Sequence, residues 1–259
     1  MKNCMELNNK PLPDIKENIR TYWNERSITF DQDVGHGADE TECRLWKKYL
    51  GDIIGSGKKT ILDVGTGTGM IALNLAELGH TVTGIDLGEK MLEIARQKAA
   101  RKNLSLDFRL GDAEDLPFPA DSFDCVICRH LLWTLPHPEQ AIREWSRVST
   151  PGGLIIAIDG HAKPRNYFPE PEKDHPGSER EMLWHRMYSR EIITRLPYRE
   201  NLTIDTILAL FSSENLSGVQ SLYLDEITEY QKSLQKGEPG DDQSEVHIIW
   251  GRSPGNHPG

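Results

Sequence analysis

The 259-residue chain has no apolar run long enough to span a membrane. Residues 1–14 are polar and punctuated by proline, without the apolar core of a signal peptide. A soluble chain in a reducing cytoplasm is the expectation. Cysteine is scarce: Cys4, Cys43, Cys125 and Cys128 are scattered, and a chain of this length buries a sizeable core without disulfides. Cys125 and Cys128 fall in a strand-like run, where residues three apart face opposite sides. That argues against a zinc knuckle or a redox pair and for two buried thiols. Basic clusters are missing too. Lys and Arg number 30 against 40 Asp and Glu, a formal net charge of -10. The basic run at 98–102 reads as a solvated helix end, so nucleic acid is disfavoured as a partner. His130 and His137 stand seven apart in a loop with no third ligand in sight, so no metal site is expected. Internal repeats and low-complexity tracts are absent. The length fits one large domain, or one with a substantial appendage.

What is present is organised around residues 60–69, Thr-Ile-Leu-Asp-Val-Gly-Thr-Gly-Thr-Gly. Ile61, Leu62 and Val64 are strand formers. Gly65, Gly67 and Gly69 remove three side chains where the backbone turns and a ligand can approach. Ile71, Leu75 and Leu78 then recur at helical spacing, with the helix opening at Met70. Strand, glycine loop and helix make the first unit of a doubly wound sheet, whose ligand lies outside the carboxyl ends of the strands. The spacing Gly-x-Gly-x-Gly, with Asp63 before it, is not the dinucleotide fingerprint Gly-x-Gly-x-x-Gly. A second strand, 81–86, ends in Asp86, an acid suited to a ribose diol. After a third strand, Asp112, Ala113, Glu114 and Asp115 place acids where an adenine edge would lie.

These three signals in this order resemble the class I S-adenosylmethionine (SAM)-dependent methyltransferases, most closely the small-molecule branch grouped with the ubiquinone and menaquinone methyltransferases. The resemblance covers residues 22–158, and the Pro151-Gly152-Gly153 before the fifth strand belongs to it. It implies SAM as cofactor, S-adenosylhomocysteine as product, and a Rossmann-like, mostly parallel seven-stranded sheet with helices on both faces. Gly65 and Gly67 would approach the methionine end, with Asp63 and Thr66 in the same loop. Asp86 and its neighbour Leu87 would hold the ribose, and Asp112 and Ala113 would meet the adenine. Thr66 stands where the family usually has Cys or Ser.

Along the chain, helices are expected at 14–26, 42–54, 89–101, 138–148, 181–193 and 204–211. Strands are expected at 106–110, 123–128, 154–158, 219–224 and 246–250, with 225–236 undecided. Residues 1–55 read as an N-terminal helical lid segment and 56–259 as the SAM-binding domain, with 163–196 as a substrate-cover insertion after strand five. Tyr22, Trp23 and Phe30 of the lid, Trp133 of the loop after strand four, and His161 are the candidate acceptor pocket. Arg129 and His130 lie where that loop faces the reacting sulfonium, and Arg129 also counts as a cofactor residue. His36, between two glycines, reads either as a group facing the acceptor or as an exposed turn histidine.

Methyl transfer is an in-line displacement, so the protein chiefly has to align nucleophile and methyl and exclude water. A base is needed only where the nucleophile loses a proton. His130, His36 and His161 are the candidates because imidazole titrates near neutrality. The leading expectation is methylation of a small-molecule acceptor. The alternatives are a SAM-binding enzyme of different chemistry, a nicotinamide or flavin oxidoreductase, and a non-enzymatic binding protein of the same fold.

Overall fold

The computed structural model describes residues 14–36, 39–159, 178–234 and 245–254. Two helices, α1 (Ile15–Phe30) and α2 (Glu40–Ile54), precede a run of alternating elements. These are β1 (Thr60–Val64), α3 (Met70–Glu77), β2 (Thr81–Asp86), α4 (Glu89–Arg101), β3 (Asp107–Leu110), β4 (Phe123–Arg129), α5 (Pro138–Val148) and β5 (Ser149–Ile158). The chain closes with α6 (Glu179–Met187), α7 (Arg190–Ile193), α8 (Ile204–Ser213), β6 (Ser217–Tyr223), α9 (Asp225–Leu234) and β7 (His247–Arg252). The seven strands form one sheet in the order β3-β2-β1-β4-β5-β7-β6. β1 pairs in parallel with both β2 and β4, while β7 runs antiparallel between β5 and β6. The strand order therefore reverses at β1, which opens a crevice outside its carboxyl end.

Alternation along the strands supplies two cores, one on each face. In β4, Val126 and Cys128 join the cluster with Leu62, Ile155, Trp145 and Ile19, and Cys125 and Ile127 join the other with Ile61, Ile156, Leu75 and Trp46. The two thiols thus face opposite sides and are buried, as their spacing requires. Strands covered on both faces carry continuous apolar runs, which is why β4 and β5 were visible in the sequence.

Several boundaries differ from expectation. The stretch 181–193 is two helices, because Tyr188 leaves helical geometry (φ -102°, ψ 70°) and Ser189 caps α7 through the Ile192 N–H. The break lets the Tyr188 ring stack on Trp184 with centroids 3.8 Å apart. Pro151-Gly152-Gly153 is not a turn ahead of the fifth strand but lies within β5, where Gly152 takes φ +73° and the pairing with β4 shifts register. Ser253 returns two backbone hydrogen bonds to this bulge, at 3.1 and 2.9 Å. The undecided stretch after β6 is helix α9. Lys98 is not a solvated helix end: its side chain is 16% exposed and pairs with Asp31 at 2.6 Å. His161 and the first part of the 163–196 insertion lie outside the described residues, as do residues 1–13.

Gly84 shows how tightly β2 packs. A Cβ there would lie 2.8 and 2.9 Å from the Phe108 ring and 2.9 Å from Thr66 Oγ1. Gly84→Ala is expected to cost about 1–3 kcal/mol by overpacking. Urea denaturation checks this, and an unchanged midpoint would show that Phe108 gives way freely.

Candidate active site

The crevice is floored by the loop after β1. Gly65, Gly67 and Gly69 all take left-handed backbone (φ +67°, +55° and +85°), so the alternate-residue glycine spacing is a conformational requirement. Packing adds to it at Gly65, where a Cβ would meet Leu131 at 2.8 Å. At Gly67 a Cβ would find only Phe30 Cε1, at 3.9 Å. Asp63 lies beneath this loop, 2% exposed. Its Oδ2 accepts from Thr66 Oγ1 (2.6 Å) and from the Ala72 N–H (3.1 Å), so both expected loop residues act inward, as a brace.

Asp86 ends β2. One carboxylate oxygen accepts from the Gly67 N–H at 2.9 Å and the other from the Gly88 N–H at 2.7 Å, tying the first two loops together. Burial raises its pKa against the pull of those amides. Leu87 packs on the neighbouring core. After β3, Asp112 accepts from the Glu114 N–H at 2.9 Å, and buried Ala113 offers its carbonyl to Trp145 Nε1.

α1 lies across these loops. Lys16 Nζ stands 2.6 Å from both Asp112 and Glu114. Asn24 accepts from the Lys90 N–H at the start of α4 (3.0 Å), and Asp31 accepts from Thr68 in the glycine loop (2.6 Å). Glu114 is 1% exposed and also accepts from the His137 N–H at 2.6 Å. Glu114 is read from the sequence only as one of the loop acids, and Lys16 not at all, because their contact spans 98 residues and leaves no local pattern.

The loop after β4 supplies the other wall. The Arg129 guanidinium lies 5.2 Å over Trp46, donates to the Gly35 carbonyl, and reaches His36 Nδ1 at 3.5 Å. Burial lowers its pKa to about 10, which leaves it charged at neutral pH. His36 is not an exposed turn residue. Its ring lies against Phe30 (4.4 Å) and 5.4 Å from the His130 ring. Burial, with Arg129 and His130 beside it, holds its pKa well below the usual histidine value. His130 itself adopts φ +52°, uncommon for a non-glycine residue, and its Nδ1 faces Asp159 Oδ1 at 3.5 Å. Trp23 meets Tyr22, Phe30 and Trp133 edge-on at 5.0, 5.7 and 6.0 Å. Tyr22 and Trp133 are 2% and 7% exposed, so they belong mostly to the core of this aromatic cluster. Among the described residues no group of three His, Cys, Asp or Glu side chains could hold a metal ion, and no helix is long and apolar enough to cross a membrane.

Residues 62–157 match the family described as methyltransferase domain. A phosphatidylethanolamine N-methyltransferase of Cereibacter sphaeroides is 33% identical over 54% of this chain and 70% of its own length. The chain belongs to the class I S-adenosylmethionine-dependent methyltransferases, in their small-molecule group. A demethylmenaquinone methyltransferase of Deinococcus radiodurans is 38% identical over 45% of this chain, and the match spans about half (49%) of that relative. In fold, the [4+2]-cyclase SpnF superposes with a TM-score of 0.65 at 19% identity, covering 95% of this chain and 99% of its own. Phosphoethanolamine N-methyltransferase 2 of Haemonchus contortus, solved with SAM, gives 0.64 at 17% identity, over 95% of this chain and 61% of that one. These last two likenesses are of fold alone.

The family's cofactor is SAM, and the crevice has the chemistry for it. The Asp86 oxygens accept the Gly67 and Gly88 amides, with the Leu87 amide also directed at the carboxylate, and its four lone pairs leave acceptor capacity for a hydroxyl. The crevice side of Gly67 is clear of all but Phe30, and a charged guanidinium stands nearby at Arg129. Family membership also sets aside the nicotinamide and flavin alternative.

Asp63 makes the apo fold pH-dependent. Burial pushes its pKa from 3.8 to about 7, so between those values the folded state binds the extra proton. Its contribution is therefore greatest below pH ~4 and is lost as pH rises toward 7. Both donors meet the same oxygen, so Asp63→Asn can keep both bonds. Urea midpoints measured from pH 4.5 to 7.5 are expected to fall less steeply in Asp63→Asn than in the wild type. Parallel profiles would refute the assignment.

Proposed function

We propose that the protein transfers the methyl group of SAM to a small-molecule acceptor by in-line displacement. The observation carrying this reading is the convergence of three loop ends under one helix: α1 or its end touches the left-handed glycine loop through Asp31, the start of α4 just after Asp86 through Asn24, and Asp112 through Lys16. In this reading Gly65 and Gly67 pass the methionine end, Asp86 takes the ribose hydroxyls, and Asp112 with Ala113 meets the adenine. Arg129 answers the cofactor's carboxylate. When bound, the cofactor supplies an electrophilic methyl on a positively charged sulfur.

The chain's own part is to align and to exclude water. α1 is the cover, with Phe30 over Gly67 and Trp23 continuing toward Trp133. In this reading α1, from the 1–55 segment, is the lid on the catalytic domain, and α6 extends the acceptor side, since Trp184 packs on Tyr22 at 5.4 Å. The relatives that act on quinone precursors or on ethanolamine headgroups support a small acceptor, and an acceptor of either kind fits this reading.

Calorimetric titration with S-adenosylhomocysteine is expected to show saturable binding. Asp86→Ala should weaken it ~10²–10⁴-fold, the loss of a pair of hydrogen bonds to a charged group. Equal affinity in the variant would remove the ribose assignment. Saturable binding without methylated product from any acceptor would favour the alternative of a SAM-binding enzyme with other chemistry. Hydrogen exchange gives a second readout: amides of α1 are expected to slow several-fold on ligand binding. Unchanged exchange would mean that α1 is a fixed wall rather than a cover.

A further inference from the structure

Two histidines face each other across the acceptor side, and hydrogen-bond chemistry separates their roles. A guanidinium has only donors. His36 Nδ1, 3.5 Å from Arg129 Nη1, therefore meets it with a lone pair, and the His36 proton sits on Nε2. A carboxylate only accepts. His130 Nδ1, 3.5 Å from Asp159 Oδ1, therefore carries the proton, and the His130 lone pair lies on Nε2. The contact is long, as catalytic hydrogen bonds often are before substrate tightens them. Asp159 is 3% exposed at the end of β5, and the His130 amide donates to the Ile158 carbonyl at 3.0 Å, so the uncommon φ of His130 is fixed from the same strand.

Resting on the methyl-transfer reading, we infer that His130 is the general base, that Asp159 is its positioning residue, and that the acceptor is a hydroxyl compound, an alcohol or a phenol. A neutral amine already carries its attacking lone pair and needs no base at that position. A hydroxyl does. His130 Nε2 takes the hydroxyl proton as the oxygen bonds the methyl carbon, and the broken C–S bond leaves its electron pair on sulfur. The products are a methyl ether, S-adenosylhomocysteine and an imidazolium, which Asp159 stabilises until the proton passes to water. His36 stays a neutral donor. The titratable and charged groups facing His130 include Asp159 after β5, His36 after α1, and Arg129 behind His36, with Arg26 and Arg180 also acting on His36.

Nitrogen-15 NMR of histidine-labelled full-length protein with S-adenosylhomocysteine reads the tautomers directly. The expected result is Nδ1–H for His130, relaxed in Asp159→Asn, and Nε2–H for His36. The opposite tautomer at His130, or no response to Asp159→Asn, overturns the assignment. Transfer from SAM is then screened against catechols, simple alcohols and primary amines. Hydroxyl acceptors are expected to react. His130→Gln should lower kcat ~10²–10⁴-fold with homocysteine-product affinity unchanged. In the wild type kcat should rise with pH through the His130 ionisation, and Asp159→Asn should move that inflection to lower pH. Transfer to amines alone, or full activity in His130→Gln, overturns the proposal. Failure of every acceptor with SAM bound sinks the methyl-transfer reading and this one with it, while the tautomer result still reports on the dyad by itself.

Discussion

The carboxylate of Asp63 holds the loop after β1 from below, and that of Asp86 holds it from the side. One oxygen of Asp63 gathers Thr66 and the first turn of α3, and Asp86 gathers Gly67 and Gly88. A backbone that passes through left-handed geometry three times in five residues has no regular ladder to satisfy its polar groups. The Thr66 and Gly69 amides find the Ile85 and Thr66 carbonyls, and the two acids take the Gly67 amide and the Thr66 hydroxyl. Each is buried at a cost, visible in their raised pKa values, and each is repaid by donors fixed in place. The start of α3, the glycine loop and the turn after β2 are held together by this arrangement.

The second dependence is electrostatic and reaches across the crevice. Lys16 is one-third exposed, and an exposed ion pair contributes little. Glu114 changes that balance, because it is almost fully buried and shares its carboxylate between Lys16 and His137. Taking one partner from a buried charge costs much more than breaking a surface pair. α1 is therefore anchored at its first turn to a group that also fixes the start of α5, and at its last turn to Thr68 and Lys98. The helix that crosses the crevice is tied at both ends and packed in the middle by Tyr22 and Trp23.

How much of this was legible follows from the range of each interaction. The glycine loop, Asp86 and the alternating halves of the sheet are local patterns, with conformation or period written into neighbouring residues, and α4 and α5 have the bounds their periodicity gives. The long-range parts were not legible. Nothing near Lys16 announces Asp112, ninety-six residues on. Asp159 stood at a strand end and was passed over because its partner, His130, comes from another strand's loop. His36 was poised between two readings until Phe30 was seen beside it. The break at Tyr188 is a tertiary effect as well: helical periodicity runs through it, and aromatic stacking decides against continuation. The bulge in β5 belongs to the same class, since Ser253 from the far end of the chain secures it.

The cover and the reacting wall share residues. On the proposed reading, the turn that ends α1 carries Gly35 and His36, and Arg129 grips both while standing at the end of β4 beside the glycine loop. A displacement of α1 would therefore remove Phe30 from the cofactor side, His36 from the acceptor side, and a backbone carbonyl from a buried guanidinium, all at once. Losing that carbonyl is costly because Arg129 stays charged in a site whose burial already lowers its pKa. Closing restores the carbonyl and excludes water from the sulfonium in the same movement. On that reading, cofactor retention and acceptor alignment would be coupled through one side chain, Arg129, without any contact between the two ligands other than the transferred methyl group.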